Sequence, residues 1–258
     1  MSKEIRSIDL NCDMGEAFGI YSFGADAEII TSISSASIAC GWHAGDPMVM
    51  SARVELCLEH GVAIGAHPGF PDLMGFGRRN ISCTPLEVRN MVLYQIGALS
   101  AFTKAAGTQL NHVKAHGNLY NMAAVDEKMA EAIAKAVYDF DRDLVFIALA
   151  GSKLAAAGSG VGLKVAAEVF ADRAYLPDGN LVPRSQPGAV FHEVEQAVQR
   201  IVQLVEEGSL TAIDGSKIVV RGDTVCLHGD TPGAAEYAKA VKEQLIARGV
   251  EVRAVLRG

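Results

Sequence analysis

Short apolar runs alternate along the chain with longer amphipathic segments. Seven runs have the length and composition of buried β-strands: Ile5–Cys12, Ala36–Gly41, Val62–Ala66, His112–His116, Leu144–Ala150, Lys164–Val169 and Thr224–His228. Weaker strand candidates are Ile218–Arg221 and Glu251–Leu256. The amphipathic segments predict helices over roughly Asp26–Ser35, Pro47–Glu59, Pro85–Ala106, Glu127–Asp139, Ala189–Glu207 and Pro232–Arg248. Strands and helices in regular alternation are typical of βαβ units and a parallel sheet.

This alternation predicts one α/β domain over residues 1–258. Seven or eight strands in 258 residues favour a closed or nearly closed (β/α) barrel, seven-stranded or irregular. An open doubly wound sheet is the alternative. A capping signal supports the start of the third predicted helix, since Thr84-Pro85-Leu86-Glu87 is a capping box with proline at the first helical position. The irregular insertion 175–184 contains the turn signal Pro-Asp-Gly and predicts a hairpin flap beside the barrel mouth.

Composition excludes several classes of protein. Half of the residues are hydrophobic and 21% are charged, which is typical of a globular protein with a sizeable core. The formal charge of −7 makes nucleic acid and anionic membrane surfaces poor partners. Five cysteines, an odd number without a C-x-x-C pair, suit a reducing compartment. Because the chain also lacks a signal-peptide pattern and an apolar run of membrane-spanning length, we expect a cytoplasmic protein.

Polar residues concentrate where the predicted strands end. In parallel α/β folds the catalytic groups lie beyond the carboxyl ends of the strands. We expect the active site to be built from five residues in such positions: Asp13, His43, His67, His116 and His228. All histidines except His60 and His192 lie at a terminus of a predicted strand or directly after it. Histidines and carboxylates together can bind a metal ion or transfer protons near neutral pH.

Further residues near the same face are candidates for binding substrate: Asn11, Glu16, Lys114, Asn118, Arg173 and Asp230. Lys114, Arg173 and Arg184 suit a substrate carboxylate, but they could instead neutralise acidic residues of the site. If a divalent metal such as zinc, manganese or iron is bound, the candidate ligands are Asp13, His67 and His116.

Several polar or glycine-rich features also have structural interpretations. Asp46 is expected mainly as a helix N-cap, and part of the His228–Asp230 pair could serve the last helix in the same way. Glycines beside the polar residues permit sharp turns or the approach of a ligand. The segment 158–164 is rich in glycine but lacks the P-loop pattern and precedes a strand, so it is interpreted as a flexible turn. Cys12, Cys40 and Cys226 are interpreted as small core residues.

Six motifs resemble, in order, those of the LamB/YcsF family: DLNCDMGE (9–16), ACGWHAGD (39–46), GAHPGFPD (65–72), VKAHGNLY (113–120), EVFADR (168–173) and LHGD (227–230). The resemblance covers nearly the whole chain. It implies a fold similar to the glycoside hydrolase/deacetylase barrels. It also implies one subunit of an ATP-dependent 5-oxoprolinase, which opens the lactam of 5-oxo-L-proline (pyroglutamate) to L-glutamate with two partner subunits, B and C.

The candidate residues fit such a reaction, because opening a lactam needs an activated water and a protonated ring nitrogen. The predicted functions are water activation by Asp13 with His43 or His67, proton donation by His116 or His228, and carboxylate binding by Lys114 or Arg173. Two other functions stay open. One is a stand-alone metal-dependent amide hydrolase or deacetylase, and the other is a non-catalytic subunit that binds substrate for its partners.

Overall fold

The alternating strands close into a barrel in the computed structural model, which describes residues 7–22, 24–191, 193–228 and 233–258. The barrel strands are β1 (Ser7–Met14), β2 (Ser35–Ala39), β3 (Ala63–His67), β4 (His112–Lys114), β5 (Val145–Leu149), β6 (Lys164–Phe170) and, after the pair β7 (Ser209–Thr211) and β8 (Lys217–Val219), β9 (Thr224–His228). All neighbouring barrel strands are parallel, and β9 closes the ring by pairing with both β6 and β1. The predicted (β/α) barrel is therefore confirmed.

Two short additions lie outside this ring. β7 and β8 pair antiparallel with each other, so the weak strand predicted at Ile218–Arg221 does not join the barrel. β10 (Glu251–Val252) pairs parallel with the first residues of β1.

Helices connect the strands: α1 (Asp26–Ile29), α2 (Pro47–His60), α3 (Pro85–Ala105), α4 (Gly117–Ala123), α5 (Glu127–Phe140), α6 (Lys153–Val161), α7 (Val194–Glu207) and α8 (Ala234–Ala247). The predicted caps form as expected. Asp46 accepts hydrogen bonds from the main-chain N–H of Met48 and Val49 at 2.8 and 3.0 Å, and Thr84 and Glu87 make the reciprocal capping box.

The helices also show where pattern reading fails. The glycines at 158 and 160 do not form a flexible turn but lie within α6, which ends at the left-handed Gly162 (φ 93°). A methyl group on Gly158 would lie 2.4 Å from the ring of Phe146, so glycine is needed here for α6 to pack closely on β5. Helices α4 and α6 were not predicted, and α7 begins at Val194 rather than at Ala189.

Polar side chains fill much of the barrel interior. In β1 the even-numbered residues join the hydrophobic core, whereas Asp9, Asn11 and Asp13 bond to polar groups of other strands. Successive side chains of a strand face opposite sides, so the odd-numbered residues share the inner face. Other buried polar residues follow the same inward alternation: Ser35, Ser37, His112, Lys114, Glu168 and Thr224. The barrel therefore carries its polar groups inside and its apolar groups against the helices.

The insertion 175–184 folds back on itself beside the barrel mouth. Tyr175 and Leu181 form an antiparallel bridge, and the N–H of Leu176 donates to the carbonyl of Asn180 at 2.7 Å. Whether this segment moves as a flap stays a prediction. Within the described ranges, no helix combines the length and the apolar character that crossing a bilayer requires.

Candidate active site at the carboxyl ends of the barrel strands

A cavity of about 600 Å³ opens where the barrel strands end. Its walls carry side chains from four strands and the loops that follow them: Asp13, His67, Lys114, His116 and Glu168. Arg78, Asn118 and Arg184 line the same cavity. Because each strand delivers one or two of these groups, only closure of the barrel brings them together.

Lys114 is the centre of a buried polar network in this cavity. Its ammonium group lies 2.5 Å from Oδ1 of Asp13 and 3.2 Å from Oε1 of Glu168. It also donates to Oδ1 of Asn11 at 2.7 Å and approaches Sγ of Cys226 at 3.3 Å. Burial lowers the pKa of Lys114, but the negative charges of Asp13 and Glu168 outweigh it, and the pKa lies well above its ordinary value. Lys114 is therefore a permanent cation.

Glu168 is held from both of its oxygens. Oε1 accepts hydrogen bonds from Asn11 at 3.0 Å and from Lys114, and Oε2 accepts from the hydroxyl of Tyr120 at 2.6 Å. Burial, and then the nearby Glu168, raises the pKa of Tyr120 well above its ordinary value, so the phenol keeps its proton. Both carboxylate oxygens of Glu168 therefore accept hydrogen bonds.

A second group lies beside the Lys114 network and consists of Glu16, His43, His67 and His116, here called the histidine cluster. One ligand-type atom from each residue lies within 4.8 Å of all the others. Nε2 of His67 is 2.9 Å from Nδ1 of His116. Oε1 of Glu16 is 3.3 Å from Nε2 of His43 and 3.4 Å from Nδ1 of His116. Asp13 joins the two groups, since its Oδ2 is 3.2 Å from Nε2 of His67.

Main-chain carbonyls fix the orientation of two of these rings. Nδ1 of His67 lies 2.8 Å from the carbonyl oxygen of Lys114, and Nε2 of His116 lies 2.8 Å from that of Phe76. A carbonyl only accepts hydrogen bonds, so both of these ring nitrogens carry protons. Phe76 has a left-handed backbone (φ 54°), which is uncommon outside glycine and marks a constrained position. The strained residue therefore supplies the carbonyl that orients His116.

His43 stacks on His116 with ring centroids 3.6 Å apart and an angle of 3° between the planes. Burial, reinforced by the neighbouring histidines, lowers the pKa of His43 and of His116 well below the ordinary value. Both rings are therefore neutral at pH 7. His43 has no solvent exposure; its Nε2 faces Oε1 of Glu16 at 3.3 Å, whereas its Nδ1 has no hydrogen-bond partner.

Two glycines leave room for this ring packing, and one glutamine fixes the main chain beside it. The sequence analysis did not identify this steric function. A methyl group on Gly69 would lie 2.6 Å from Nδ1 of His43, and one on Gly77 would lie 2.8 Å from the ring of His116. The buried side chain of Gln95 accepts from the N–H of Gly69 and donates to its carbonyl, both at 2.9 Å. The two glycines therefore leave the room that the rings of His43 and His116 need.

His112 is a buried histidine that the sequence analysis did not assign to the barrel interior. It begins β4, as it begins the predicted strand, and its Nε2 lies 3.2 Å from the hydroxyl of Ser37. The contact passes over Gly65 in β3, where any side chain would collide with the ring. Burial, with Lys114 and His67 adding to it, lowers the pKa of His112 to about 3. The alternation His112-Val113-Lys114 inside a parallel barrel strand was the available signal.

Two predicted substrate-binding residues have other partners. Lys114 is occupied by Asn11, Asp13 and Glu168, which matches the alternative that it neutralises acidic residues. The buried guanidinium of Arg173 donates to the carbonyls of Val182 and Ala189, at 2.7 and 3.3 Å, and so ties down the insertion after β6. These contacts favour positioning functions over direct binding of a substrate carboxylate.

The remaining predicted residues divide into two sets. Asn118 lines the cavity and donates to Asn80 at 2.7 Å. His228 ends β9 with its main chain in register with Asp13, but its side chain, like all of Asp230 and His192, lies outside the described residues. The five cysteines are free, and burial raises the pKa of Cys226 well above its ordinary value. A protonated thiol is a poor nucleophile, which agrees with the prediction that the buried cysteines are core residues.

The fold and the site define a (β/α)-barrel protein whose ionisable groups collect at the carboxyl ends of the strands, the arrangement typical of barrel enzymes. The chain belongs to the LamB/YcsF family, whose model matches residues 8–257. A protein of Syntrophobacter fumaroxidans, named as the A subunit of 5-oxoprolinase, is 54% identical over 247 residues, covering 96% of this chain and 98% of that protein. One of the same name from Bacillus subtilis strain 168 is 52% identical over 248 residues, 96% of each chain.

Solved structures agree with this assignment. The crystal structure of a lactam utilization protein from Thermus thermophilus has a TM-score of 0.91 and 50% identity, covering 96% of this chain and 99% of that one. A putative cellobiose-phosphate cleavage protein from Enterococcus faecalis V583 is 12% identical with a TM-score of 0.56, covering 96% of this chain and 97% of that one, which shows a similar fold only. The family membership inferred from the six motifs is therefore confirmed.

Proposed function

We propose that this protein is the A subunit of a 5-oxoprolinase, which hydrolyses the lactam of 5-oxo-L-proline to L-glutamate. The observation that carries the proposal is the cavity at the barrel mouth, with Asp13 fixed between Lys114 and His67. Relatives at 52 to 54% identity across nearly the whole chain carry this name. The finer elements of the proposal are ATP as co-substrate, partner subunits B and C, and a cytoplasmic location.

Asp13 is the proton acceptor of the proposed mechanism. It lines the cavity, and its two oxygens approach Lys114 at 2.5 Å and Nε2 of His67 at 3.2 Å, so its direction is fixed. A carboxylate in this position can orient and deprotonate a water molecule that attacks the lactam carbonyl. Lys114 holds Asp13 in place, which is a positioning function.

The substrate carboxylate requires a cation, and the buried Lys114 and Arg173 are engaged elsewhere. Arg78, which is half-buried, and Arg184, which is exposed, line the same cavity and add positive charge to it. Arginine suits a carboxylate because its fork of N–H groups matches the two oxygens. We assign these two residues to substrate binding in place of Lys114 and Arg173.

The proton for the ring nitrogen needs a group other than His116. Burial holds the pKa of His116 well below its ordinary value, so at neutral pH it has no proton to give from Nδ1. The side chain of His228 remains the candidate predicted from sequence. An unactivated amide is a poor electrophile, so ATP, handled with the partner subunits, would activate the carbonyl before water attacks.

Reconstitution tests the proposed function. The chain is mixed with subunits B and C, and ATP-dependent formation of glutamate from 5-oxoproline is measured. We expect Asp13→Asn to lower kcat on the order of 100-fold, the usual contribution of general base catalysis, and His60→Gln on the exposed face of α2 to leave it unchanged.

Two other outcomes would replace the proposal. Hydrolysis of amides by the chain alone, without ATP, would identify a stand-alone hydrolase, a function that the histidine cluster also suits. Tight 5-oxoproline binding together with full activity of Asp13→Asn would identify a non-catalytic binding subunit.

A further inference from the structure

We infer that Asp72 and Arg79 are positioning residues that hold Arg78 in place, so that the site prefers lactams that carry a carboxylate. The two residues begin and end a loop after β3, here called the 72–79 loop, and their ion pair is called the clamp. The inference deepens the proposed function and rests on its assignment of Arg78 to the substrate carboxylate.

The side chain of Asp72 is buried and collects donors from its own loop. Its Oδ1 accepts hydrogen bonds from the main-chain N–H of Gly75 at 3.0 Å and from Nε of Arg79 at 2.8 Å, and Nη2 of Arg79 contacts the same oxygen. Its Oδ2 accepts from the main-chain N–H of Arg79 at 3.4 Å. One carboxylate therefore ties the start of the loop to its end, through charge-assisted bonds that are roughly twice as strong as neutral ones.

The clamp closes over a glycine. A methyl group on Gly75 would collide with both Asp72 and Arg79. Glycine is needed at this position because the carboxylate and the guanidinium approach the main chain closely.

The clamp holds a backbone conformation that is uncommon. Within the loop, the N–H of Gly77 donates to the carbonyl of Asp72, and the N–H of Arg78 donates to that of Gly75, both at 2.9 Å. Between them, Phe76 has a left-handed backbone with φ of 54°. A residue other than glycine keeps such a conformation only when its surroundings enforce it. The bonds to Asp72 are the ones that enforce it here.

Arg78 is the part of the loop that reaches the cavity. Its guanidinium carbon lies 4.8 Å from the centroid of the Phe76 ring, which is a cation–π contact. The Phe76 ring in turn meets the rings of His43 and His116 edge-on, with centroids 5.8 and 5.2 Å apart. The direction of Arg78 therefore depends on Phe76, and the position of Phe76 depends on the clamp.

The clamp gives two neighbouring arginines different functions. Arg79 turns Nε and Nη2 towards Asp72, whereas Arg78 lines the cavity. An arginine that is already held in one direction binds a carboxylate more tightly, because less side-chain freedom is lost on binding. The clamp should therefore contribute to the affinity for the substrate carboxylate and not to the affinity for the lactam ring.

Ligand binding to the isolated chain tests the inference. NMR titration measures the dissociation constants of 5-oxo-L-proline and of 2-pyrrolidone, which is the same ring without the carboxylate. We expect the wild type to prefer 5-oxo-L-proline on the order of 100-fold. Asp72→Asn and Arg79→Gln should weaken binding of 5-oxo-L-proline about tenfold and leave that of 2-pyrrolidone unchanged. A purely structural function of the clamp would weaken the binding of both ligands alike.

Two further variants complete the test. Arg89→Gln is the matched control, because Nη2 of Arg89 makes a similar pair with Asp139, at 2.8 Å, between α3 and α5 outside the barrel. It should bind both ligands like the wild type. The double variant of Arg78→Gln and Arg79→Gln should bind 5-oxo-L-proline no more weakly than Arg78→Gln alone, because the clamp acts through Arg78.

Two results would overturn the inference. One is an equal preference for 5-oxo-L-proline over 2-pyrrolidone in the wild type and in Arg79→Gln, or no such preference in the wild type. The other is an additive loss in the double variant, which would show that Arg79 acts independently of Arg78. The side chain of Arg79 is 66% exposed, so Arg79→Gln should fold even if Asp72→Asn does not. Because binding is measured without ATP or partner subunits, a carboxylate preference without turnover by the reconstituted enzyme would contradict the proposed function alone.

Discussion

The two halves of the candidate site, the Lys114 network and the histidine cluster, are built on opposite principles. In the Lys114 network donors and acceptors match: one ammonium, one amide and one phenol serve two carboxylates. In the histidine cluster the rings are held by packing and by main-chain carbonyls: His43 stacks on His116, and the carbonyls of Lys114 and Phe76 orient His67 and His116. The Lys114 network therefore depends on the balance of charge, whereas the histidine cluster depends on the fit of its rings.

Removing the ammonium group of Lys114 should give the largest effect on stability. Lys114 is 2% exposed, and Lys114→Met would leave Asp13 and Glu168 as buried charges without their cation. Loss of one partner from a buried ion pair costs about 3–5 kcal/mol. We expect a drop of this size in the free energy of unfolding, measured by urea denaturation.

The matched control is Lys135→Met, which breaks the exposed i,i+4 pair with Asp139 and should cost less than about 0.5 kcal/mol. Glu16→Gln, which keeps the shape of a side chain in the histidine cluster, should also change stability little. Equal losses in Lys114→Met and Glu16→Gln would remove the distinction between the two halves.

The pH dependence of the free energy of unfolding should report the protonation of His112, which is buried and neutral in the folded chain. The pKa of His112 is about 3 in the folded chain, against an ordinary value of 6.5. Between these values the unfolded chain binds a proton that the folded chain does not, so the free energy of unfolding falls as the pH falls from about 6.5 towards 3. At about 1.4 kcal/mol per pKa unit, one ring accounts for a few kcal/mol over this range.

Urea denaturation at several pH values between 7 and 4 measures this slope. The variant His112→Asn should lose stability at pH 7, because it leaves a cavity against Gly65, but it should show a shallower slope. The same slope in wild type and variant would show that other groups, including His43 and His116, carry the whole dependence.

The smallest expected effect comes from alanine substitutions at two glycines. One of them packs against the histidine cluster and the other does not, so the pair separates a steric effect on the cluster from backbone strain. Gly77 and Gly107 both have left-handed backbones, with φ of 63° and 74°. A methyl group on Gly77 would meet His116 and His43, at 2.8 and 2.9 Å, whereas one on Gly107 would meet nothing within 4 Å. Both alanine variants should lose about 1 kcal/mol of stability from strain.

Only Gly77→Ala should lose about 1 kcal/mol more, because its methyl group would also overpack the stacked rings. Urea denaturation of the two variants decides the point. Equal losses of stability in Gly77→Ala and Gly107→Ala would show that the His43–His116 stack accommodates the methyl group without cost.

The sequence predicted the fold well because strand and helix patterns are local. Thr224–His228 was predicted with its observed bounds, and the other barrel strands differ by at most two residues at the termini within the described residues, the predicted start at Ile5 lying outside them. The site was predicted in part, since Asp13, His67 and His116 do meet. Their partners could not be read from spacing, because Lys114 approaches Asn11 and Asp13 from across the barrel and nothing local marks that contact.

The sequence by itself determined the order of strands and helices, the helix caps, the family and the strand ends at which ionisable groups occur. These follow from short-range periodicity, from capping chemistry and from motifs that are contiguous in the chain. Only the tertiary structure decided which groups share a charge, which ring nitrogens carry protons, and that His43 and Glu16 belong with His67 and His116. The physical reason is that pairing, burial and tautomer depend on atoms brought together from different strands, and closure of the barrel sets those distances.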